Sequence, residues 1–453
     1  MFSFLPSFLI AQTTTPTPAP VEVVQPQIVR SLPGKLDDVP VFNSNSPELV
    51  LKEGILLSTF RGKGKKMPSA HLNFPFKGRF DIFAHHVAKA STPSDLRTLY
   101  LGIMLHNPTS QPVTVNTIHA ASYLSQPDAP FIDLPSQKNN YFGRVFAGPG
   151  SRVTSDVLRK RRQSTIPPQL IIPPGKTRMI MNAPISVKEL EPPINGRSTL
   201  MRLWSSGKVH AASLAMFAPT NADGSERPPT LQEWQNLLDN GDLAGPRDKA
   251  PTPLEDINKP IIYGRVSGVA KGSQWNSLVV DNPKKTYLTI PQPGKAFSYG
   301  IATLHRGTLG TNQIQTAKML ARYPDTAYYA HGNYGIQYSL QLPLLNKSST
   351  LQTVKVSLQT PIKEDKLTKN GLRFFDNPSK RVFFRGTVRV RYTDDRGLPR
   401  TRYLHLVQNR GQRGEPLTTL NIKPGDKRLV EVDLLYPPDA TPPQVLTVET
   451  EDK

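Results

Sequence analysis

The sequence predicts an all-β protein made of two β-sandwich (Ig-like) domains with one short connecting helix. Three observations favour this fold class. Proline is frequent, at 45 of 453 residues, and it interrupts most segments before a long helix could form. Short runs with alternating apolar and polar residues recur along the chain. Few segments show the 3.6-residue periodicity of a helix.

The clearest strand–turn–strand unit spans residues 100–115. Residues 101–105 are an apolar run, residues 106–110 turn the chain, and Val113 and Val115 resume it with period two. The turn contains an Asn-Pro pair, and proline disfavours the α region for the residue before it. This unit predicts two neighbouring strands.

A second copy of this unit follows at residues 334–356, with an Asn-x-Ser-Ser turn. Each copy has a partner downstream, at residues 171–180 and 420–430, in which Pro-Gly-x-x-Arg joins two apolar strands. Two shared features in the same order suggest two sandwich domains from one ancestral unit. The alternative is that strand–turn–strand segments resemble one another in many β proteins.

The first eleven residues look like the end of a secretory signal, with a cleavage junction after Ala11. No basic residue precedes the apolar run, which fits a start site upstream of Met1, and Leu9 is bulky for a cleavage site. The alternative is a short apolar tip. Residues 12–38 are rich in Thr and Pro and predict an extended linker, so we expect order to begin near residues 39–51.

The domain prediction places the first sandwich at residues 39–225 and the second at residues 259–448, with a helix and linker at residues 226–258. The helix begins with the capping box of Thr230 and Glu233. Leu231, Trp234, Leu237 and Leu238 form its apolar face, and Gly241 is placed to end it.

Charge indicates partners rather than fold. The net charge is +21 and the pI is about 9.9, which favours acidic polysaccharide, anionic head groups, cell-wall polymers or nucleic acid. The alternative is solubility with weak nonspecific binding. The chain has no cysteine, which excludes disulfides, thiolate zinc sites and a cysteine nucleophile.

Two basic clusters are candidate polyanion-binding sites. The first is a helix with Ser151 as N-cap and residues 152–162 following. The second lies on two neighbouring strands joined by an Asp-Asp-Arg-Gly turn, where like charges would repel without an anionic partner. For both clusters the alternative is a solvated surface. The candidate residues are Arg152, Arg159, Lys160, Arg161, Arg162, Arg389, Arg391, Arg400 and Arg402.

No motif predicts catalysis, a cofactor or a metal site. The basic glycine-rich loop at residues 61–66 lacks the Gly-Lys-Ser/Thr ending of a nucleotide-binding loop and is followed by no helical pattern. Nine histidines are scattered without ligand spacing, and a site assembled from them stays open. A glycosidase needs only two well-placed carboxyls, so that chemistry also stays open.

Four short motifs carry a resemblance to a known family. They are Leu-His-Asn-Pro at 105–108, Gly-Pro-Gly-Ser-Arg-Val at 148–153, Ile-Pro-Pro-Gly at 172–175 and Gly-Asn-Tyr-Gly at 332–335. With these motifs the chain resembles a family of uncharacterised exported proteins from cyanobacteria, known as a domain of unknown function. The resemblance covers most of the chain beyond the linker. It implies an envelope or extracellular setting and no catalytic residues.

The favoured hypothesis is a non-catalytic exported protein of the periplasm or cell envelope that binds an anionic polysaccharide or another envelope component. One alternative is a carbohydrate-active enzyme on a β scaffold, with two carboxyls about 5–10 Å apart. Another is a periplasmic assembly or adaptor factor that pairs strands with a partner. Nucleic acid is disfavoured because the aromatic residues of the chain do not interleave with the basic clusters. No stretch is long and apolar enough to span a bilayer, and the sequence predicts no oligomeric state.

Overall fold

The computed structural model describes residues 20–256 and 258–452 of the chain. Within this part, strands dominate and two α-helices are present, which confirms the all-β prediction. The predicted signal segment at residues 1–11 and most of the Thr-rich segment after it lie outside the described residues.

The first half of the described chain contains twelve strands, one short 3-10 helix at Pro68–Ala70 and helix α1. In chain order these strands and α1 are β1 (Glu22–Pro26), β2 (Ile28–Arg30), β3 (Pro40–Ser44), β4 (Leu49–Val50), β5 (Gly54–Ser58), β6 (Phe76–Lys89), β7 (Leu99–His106), β8 (Val113–Leu124), β9 (Gln137–Asn139), α1 (Pro149–Leu158), β10 (Gln169–Ile172), β11 (Thr177–Ile185) and β12 (Ile194–Phe217).

The second half contains helix α2 and fourteen strands. They are α2 (Leu231–Asn240), β13 (Ser267–Lys271), β14 (Gln274–Leu278), β15 (Leu288–Thr289), β16 (Ala296–Ile301), β17 (Ala317–Arg322), β18 (Tyr329–Ala330), β19 (Gln337–Leu345), β20 (Gln352–Gln359), β21 (Gly371–Phe375), β22 (Val382–Thr393), β23 (Pro399–Asn409), β24 (Pro416–Ile422), β25 (Lys427–Leu435) and β26 (Gln444–Thr450).

The long strand β12 organises the first half. Residues 194–209 of β12 pair with β6 and β8, and residues 210–217 pair with β5 and β7. One strand therefore takes part in two sets of strands. Side chains from both sets, such as Ile82 of β6 and Ile103 of β7, pack in one apolar cluster. This burial is the main stabilising contribution to the first half.

Two further sheets organise the second half. The order β14-β19-β25-β22-β23-β9 forms one sheet, with β15 beside β19, and β2-β16-β26-β20-β24 forms the other. Tyr338 and Val390 from the first sheet share an apolar cluster with Phe297, Val356 and Val448 from the second. All five side chains are almost fully buried.

Early strands of the chain enter sheets of the second half. β1 pairs with β21, β2 with β16, and β9 with β23, while β3 pairs with β13. We expected order to begin near residues 39–51, and this was wrong, because residues 22–30 form two strands. Val29 packs against a buried cluster that contains Leu372 and Phe374, and that contact together with the strand pairing orders the segment. The predicted domain boundaries stay a prediction.

Helix α1 differs from the predicted helix at both ends. It begins at Pro149, because the fixed φ of proline suits the first helical position, with Gly148 as N-cap. Ser151 is buried one turn later and donates its hydroxyl to the Ala147 carbonyl oxygen at 2.8 Å. The helix ends at Leu158 rather than at residue 162. It contacts β8 and β12 on one side and β22 and β25 on the other, so it lies between the two halves.

Helix α2 has the predicted capping box. Thr230 Oγ1 accepts from the Glu233 backbone N–H, and the Glu233 carboxylate accepts from the Thr230 N–H at 2.8 Å. Its position differs from the expectation of a connecting helix, because Trp234 is fully buried against Gly102 of β7. A Cβ at Gly102 would lie 2.7 Å from the indole ring. Helix α2 therefore covers strands of the first half.

The two strand–turn–strand copies share one hydrogen-bond pattern. The buried Asn107 side chain donates to the carbonyl oxygens of Gln111 at 2.7 Å and Ile172 at 2.9 Å. The buried Asn346 side chain donates to those of Thr350 and Ile422, both at 2.8 Å.

The acceptor side of each carboxamide is also equivalent. Asn107 Oδ1 accepts from the backbone N–H and hydroxyl of Thr109, and Asn346 Oδ1 accepts from the same groups of Ser348. Each downstream loop turns at a glycine with positive φ, +63° at Gly175 and +71° in the second copy. The same side-chain atoms make the same hydrogen bonds in both copies, which supports the prediction that the two units arose by duplication.

We expect Asn346→Ala and Asn107→Ala each to lower the free energy of unfolding by about 2–4 kcal/mol. Each change removes the side-chain partner of one buried carbonyl oxygen, that of Ile172 or Ile422, and of one backbone N–H, that of Thr109 or Ser348. Urea unfolding followed by circular dichroism measures this. The control Asn236→Ala changes an exposed residue of α2 and should shift stability by less than about 0.5 kcal/mol. If the buried and exposed variants unfold alike, the proposed role of the carboxamides is wrong.

Candidate functional site

A cleft of about 570 Å³ lies where the ends of β7 and β11 meet α2 and the loop after β5. We call it the basic cleft. Nine polar side chains line it, three of them cationic and one acidic: Arg61, Lys63, Lys65, His106, Thr177, His210, Gln232, Gln235 and Asp239.

Strand register places three of these side chains in one row. In the antiparallel ladders, Thr177 of β11 is opposite His106 of β7, and His106 is opposite His210 of β12. Directly opposed residues of an antiparallel pair lie on the same face. His106 Nδ1 is 3.2 Å from Thr177 Oγ1, and His210 Nδ1 donates to the Thr59 carbonyl oxygen at 2.5 Å. Three strands thus present a hydroxyl and two imidazoles together.

Asn107 holds the two loops that carry this row. Its backbone N–H donates to the Lys176 carbonyl oxygen at 3.0 Å, and its side chain binds the Ile172 carbonyl oxygen. His106 directly precedes Asn107 in the chain, and Thr177 directly follows Lys176. The same carboxamide that closes the turn therefore fixes the rim of the basic cleft.

The two imidazoles are uncharged at neutral pH. Burial lowers the pKa of His106, and the neighbouring His210 and Lys65 lower it further. Burial also lowers the pKa of His210, although its hydrogen bond to the Thr59 carbonyl opposes the change. The Phe60 ring lies 5.3 Å from the His106 ring and forms an apolar wall. A neutral imidazole carries one N–H donor and one acceptor nitrogen.

The cationic loop at residues 61–66 is anchored on α2. Lys65 forms an ion pair with Asp239, and Lys66 lies 3.4 Å from a carboxylate oxygen of Asp242. These pairs position the exposed Arg61 and Lys63 at the mouth of the basic cleft. Cations beside a low-dielectric wall raise the local concentration of anions.

Two residues of the first predicted cluster pack on aromatic rings. The Arg152 guanidinium lies 3.9 Å from the Tyr123 ring centroid and 4.6 Å from that of Phe146. The Arg159 guanidinium lies 3.8 Å from the Tyr403 ring centroid, and burial lowers its pKa. Arg159 thereby joins the end of α1 to β23. Both cations stabilise the protein's own packing.

The other three residues of the first predicted cluster, Lys160, Arg161 and Arg162, come after the end of α1 and do not lie on a helix face. Arg161 pairs with Asp156 at 3.0 Å, and Arg162 donates to the Ile166 carbonyl oxygen. Lys160 is exposed, with a positive φ of 62° just after the helix end. The predicted continuous basic helix face is therefore wrong, because α1 ends before these residues.

The second predicted cluster is divided between two sheet faces. Arg402 is the register partner of Val390, so Arg400 and Arg402 share the Val390 face. Arg389 and Arg391 alternate with Val390 and point to the opposite face. The two strands are neighbours, as predicted, but the register places the two pairs of arginines on opposite faces, so the four charges are not crowded together.

Each of these four arginines contacts its own protein. Acidic side chains of β25 and of the turn supply most of the partners, so repulsion does not demand an external anion. The contacts are Arg389 with Asp433 at 3.0 Å, Arg391 with Glu431 at 3.1 Å, Arg400 with Asp394 at 2.6 Å, and Arg402 with the Leu417 carbonyl oxygen at 3.0 Å.

Sequence reasoning missed the basic cleft. The loop at residues 61–66 was rejected as a nucleotide-binding loop, and His106 and His210 were counted among scattered histidines. One usable signal was present, since His106 precedes the asparagine of the first turn whereas Leu345 precedes that of the second copy. Neither the pairing of β7 with β12 nor the approach of α2 is visible in the sequence.

The described residues show neither a metal-binding cluster nor a membrane-spanning helix. Across residues 20–256 and 258–452, no group of three or more His, Cys, Asp or Glu side chains could hold a metal ion. In that part of the chain, every helix is too short or too polar to cross a membrane.

Comparisons with known proteins give a family but no characterised relative. A family model described as "Protein of unknown function (DUF3370)" matches residues 27–450. No curated protein matches the chain. Similar solved structures include the coconut allergen cocosin, with 10% identity over 89% of this chain and 86% of that chain and a TM-score of 0.10. Procruciferin, an 11S globulin from Brassica napus, has 10% identity over 84% of each chain and a TM-score of 0.08. Likenesses this weak carry no argument.

We expect Lys65→Gln to raise the pKa of His106 toward its ordinary value of 6.5, because the change removes a nearby positive charge. NMR titration of the imidazole ring protons measures this. The pKa of His331 is about 3, owing to burial, His305 and Lys363, and should not move. The control Lys295→Gln should change neither histidine. A His106 that titrates above 6.5 in the unmodified protein would contradict the described electrostatics.

Proposed function

The chain belongs to the DUF3370 family of proteins of unknown function, and we propose that it is a non-catalytic, exported envelope protein that binds an anionic polymer at the basic cleft. The observation that carries this proposal is the convergence of Arg61 and Lys63 with the row of Thr177, His106 and His210 around one cleft.

The donors in the cleft match anionic oxygen atoms. Arginine and lysine donate charge-assisted hydrogen bonds to carboxylate, sulfate or phosphate groups. The hydrogen-bonded pair of His106 and Thr177 adds an uncharged donor beside them, whereas His210 already donates its N–H to the Thr59 carbonyl oxygen. Since Asp239 compensates the charge of Lys65, the surplus positive charge at the mouth comes from Arg61 and Lys63. One or two acidic groups of a polymer could be held there.

The duplication supports a functional role for this row. The second copy keeps the buried asparagine and the glycine turn but has Leu345 and Lys427 where the first has His106 and Thr177. The structural requirements of the turn therefore do not explain the histidine. Ligand binding by the first copy would explain why it has His106 and Thr177 where the second copy has Leu345 and Lys427.

The charge of the whole chain supports a polymeric rather than a small anion. A net charge of +21 attracts an extended polyanion over distances up to about a Debye length, roughly 10 Å at 0.1 M salt. A single small anion would gain little from charges outside the cleft. An acidic polysaccharide or another anionic envelope component fits this distribution.

Export, cyanobacterial origin and the sandwich arrangement are also proposals. The signal-like residues 1–11 support export to the periplasm or cell envelope. The four motifs that resemble exported cyanobacterial proteins support that origin. The two apolar clusters and the repeated turn support two Ig-like sandwich units, although strands are exchanged between the halves.

We expect the double variant Arg61→Gln with Lys63→Gln to bind heparin, used as a sulfated probe, about five- to thirtyfold more weakly than the unmodified protein. Two exposed charged contacts, each worth roughly 0.5–1 kcal/mol, are lost. Affinity chromatography and calorimetry measure this, and retention should fall as salt rises.

The matched control is Lys284→Gln with Lys285→Gln, which removes the same charge from an exposed turn elsewhere. It should reduce binding less than the cleft variant. Equal losses in both variants would show that net charge alone attracts the probe. No retention of the unmodified protein at low salt would reject the proposed function.

A further inference from the structure

Two adjoining cavities, of about 450 and 200 Å³, meet at the side chains of Tyr263 and His331, which line both. We call them the Tyr263 cavities. They lie beside the segment that leads from α2 to β13 and share no lining residue with the basic cleft.

Aromatic rings form one wall of the larger cavity. The ring centroids of Tyr263 and His331 are 4.6 Å apart, and that of His305 lies 6.1 Å from His331. Tyr328 lines the same cavity. The Tyr263 hydroxyl donates to the His305 carbonyl oxygen at 2.6 Å, which fixes the tyrosine ring in place. Such a wall suits the C–H face of a ring-shaped ligand.

Three residues that line the smaller cavity each have a buried side-chain polar atom without a partner in the described part of the chain. Asn43 and Asn45 are 4% and 3% exposed, and the Oδ1 atom of each has no hydrogen-bond partner among the described residues. His331 is 8% exposed, and its Nδ1 also has no hydrogen-bond partner among the described residues. Buried polar atoms are normally satisfied, since leaving them unpaired costs free energy. Three such residues around one cavity point to a ligand that carries hydrogen-bonding groups.

Nearby charges select the kind of donor. Lys363 Nζ donates to the Tyr263 hydroxyl at 3.1 Å. Charges of both signs line the larger cavity, so they favour a neutral ligand: Asp256, Asp365, Arg306 and Lys366. A hydroxyl can donate to a carboxamide oxygen and accept from the lysine. Burial lowers the pKa of His331 to about 3, so this imidazole adds no charge at neutral pH.

We propose that the Tyr263 cavities bind a neutral, hydroxyl-rich sugar unit of an oligosaccharide. Its C–H groups pack against the wall of Tyr263, His305 and Tyr328, and its hydroxyls donate to Asn43 and Asn45. The proposal rests on the cavities themselves and does not depend on the basic cleft or its anionic ligand.

Four neutral tetrasaccharides, derived from starch, cellulose, xylan and chitin, are the probes for the full chain. Saturation-transfer NMR and calorimetry should show binding of at least one of them. The affinity should change little between about 0.05 and 0.5 M salt, because the ligand itself carries no charge. Asn45→Leu and Tyr263→Ala should each weaken binding about tenfold, through a lost acceptor and a lost ring face.

Two control variants test whether the sugar binds in these cavities and not elsewhere on the protein. Tyr141→Ala removes an exposed tyrosine far from the cavity lining, and Arg61→Gln with Lys63→Gln alters only the basic cleft, so both should keep full sugar affinity. Thermal melts confirm that each variant is folded. No binding of any probe up to about 10 mM would overturn the proposal. So would binding that weakens with salt, or binding unchanged in both cavity variants.

Discussion

A buried asparagine carboxamide in each half is the interaction on which the rest of the structure depends. Asn107 and Asn346 are fully buried, and each uses both amide protons on loop carbonyl oxygens and its oxygen on the residue two positions later. Without it, backbone groups of two loops would be buried without partners. The need to satisfy these backbone groups explains why the same asparagine turn occurs in two distant segments of the chain. It also explains why the loops stay together at the edge of the basic cleft.

The surplus of basic residues is a poor guide to the binding surface. Many guanidinium groups are used inside the protein, where they pack on rings or pair with carboxylates. Arg159 joins α1 to Tyr403, and Arg389 pairs with Asp433. Both contacts stabilise the region where α1 meets the second half. The basic cleft differs because Arg61 and Lys63 lie at the mouth of an open volume beside uncharged donors. The basic cleft is the better candidate for a binding site because of where its cations lie and not because of how many there are.

The features predicted correctly from the sequence are those that depend on interactions between residues close together in the chain. Period-two patterns gave the strand class, and Thr230 with Glu233 gave the start of α2, since a capping box is a contact within one turn. Residues 22–30 were misjudged because their order comes from strands more than 250 positions later. The faces on which the four arginines of β22 and β23 lie were not predictable, because register decides the face and depends on pairing. His106 and His210 were missed for the same reason, since only β12 brings them together.

The central claim is that an anionic polymer binds at the basic cleft. The most direct measurement is NMR mapping of the isotope-labelled full chain during titration with a short alginate oligosaccharide. The account predicts saturable shift changes at Arg61, Lys63, His106 and His210 that disappear at high salt. Changes confined to the end of α1 or to β22 and β23, or no saturable change at low salt, would contradict it.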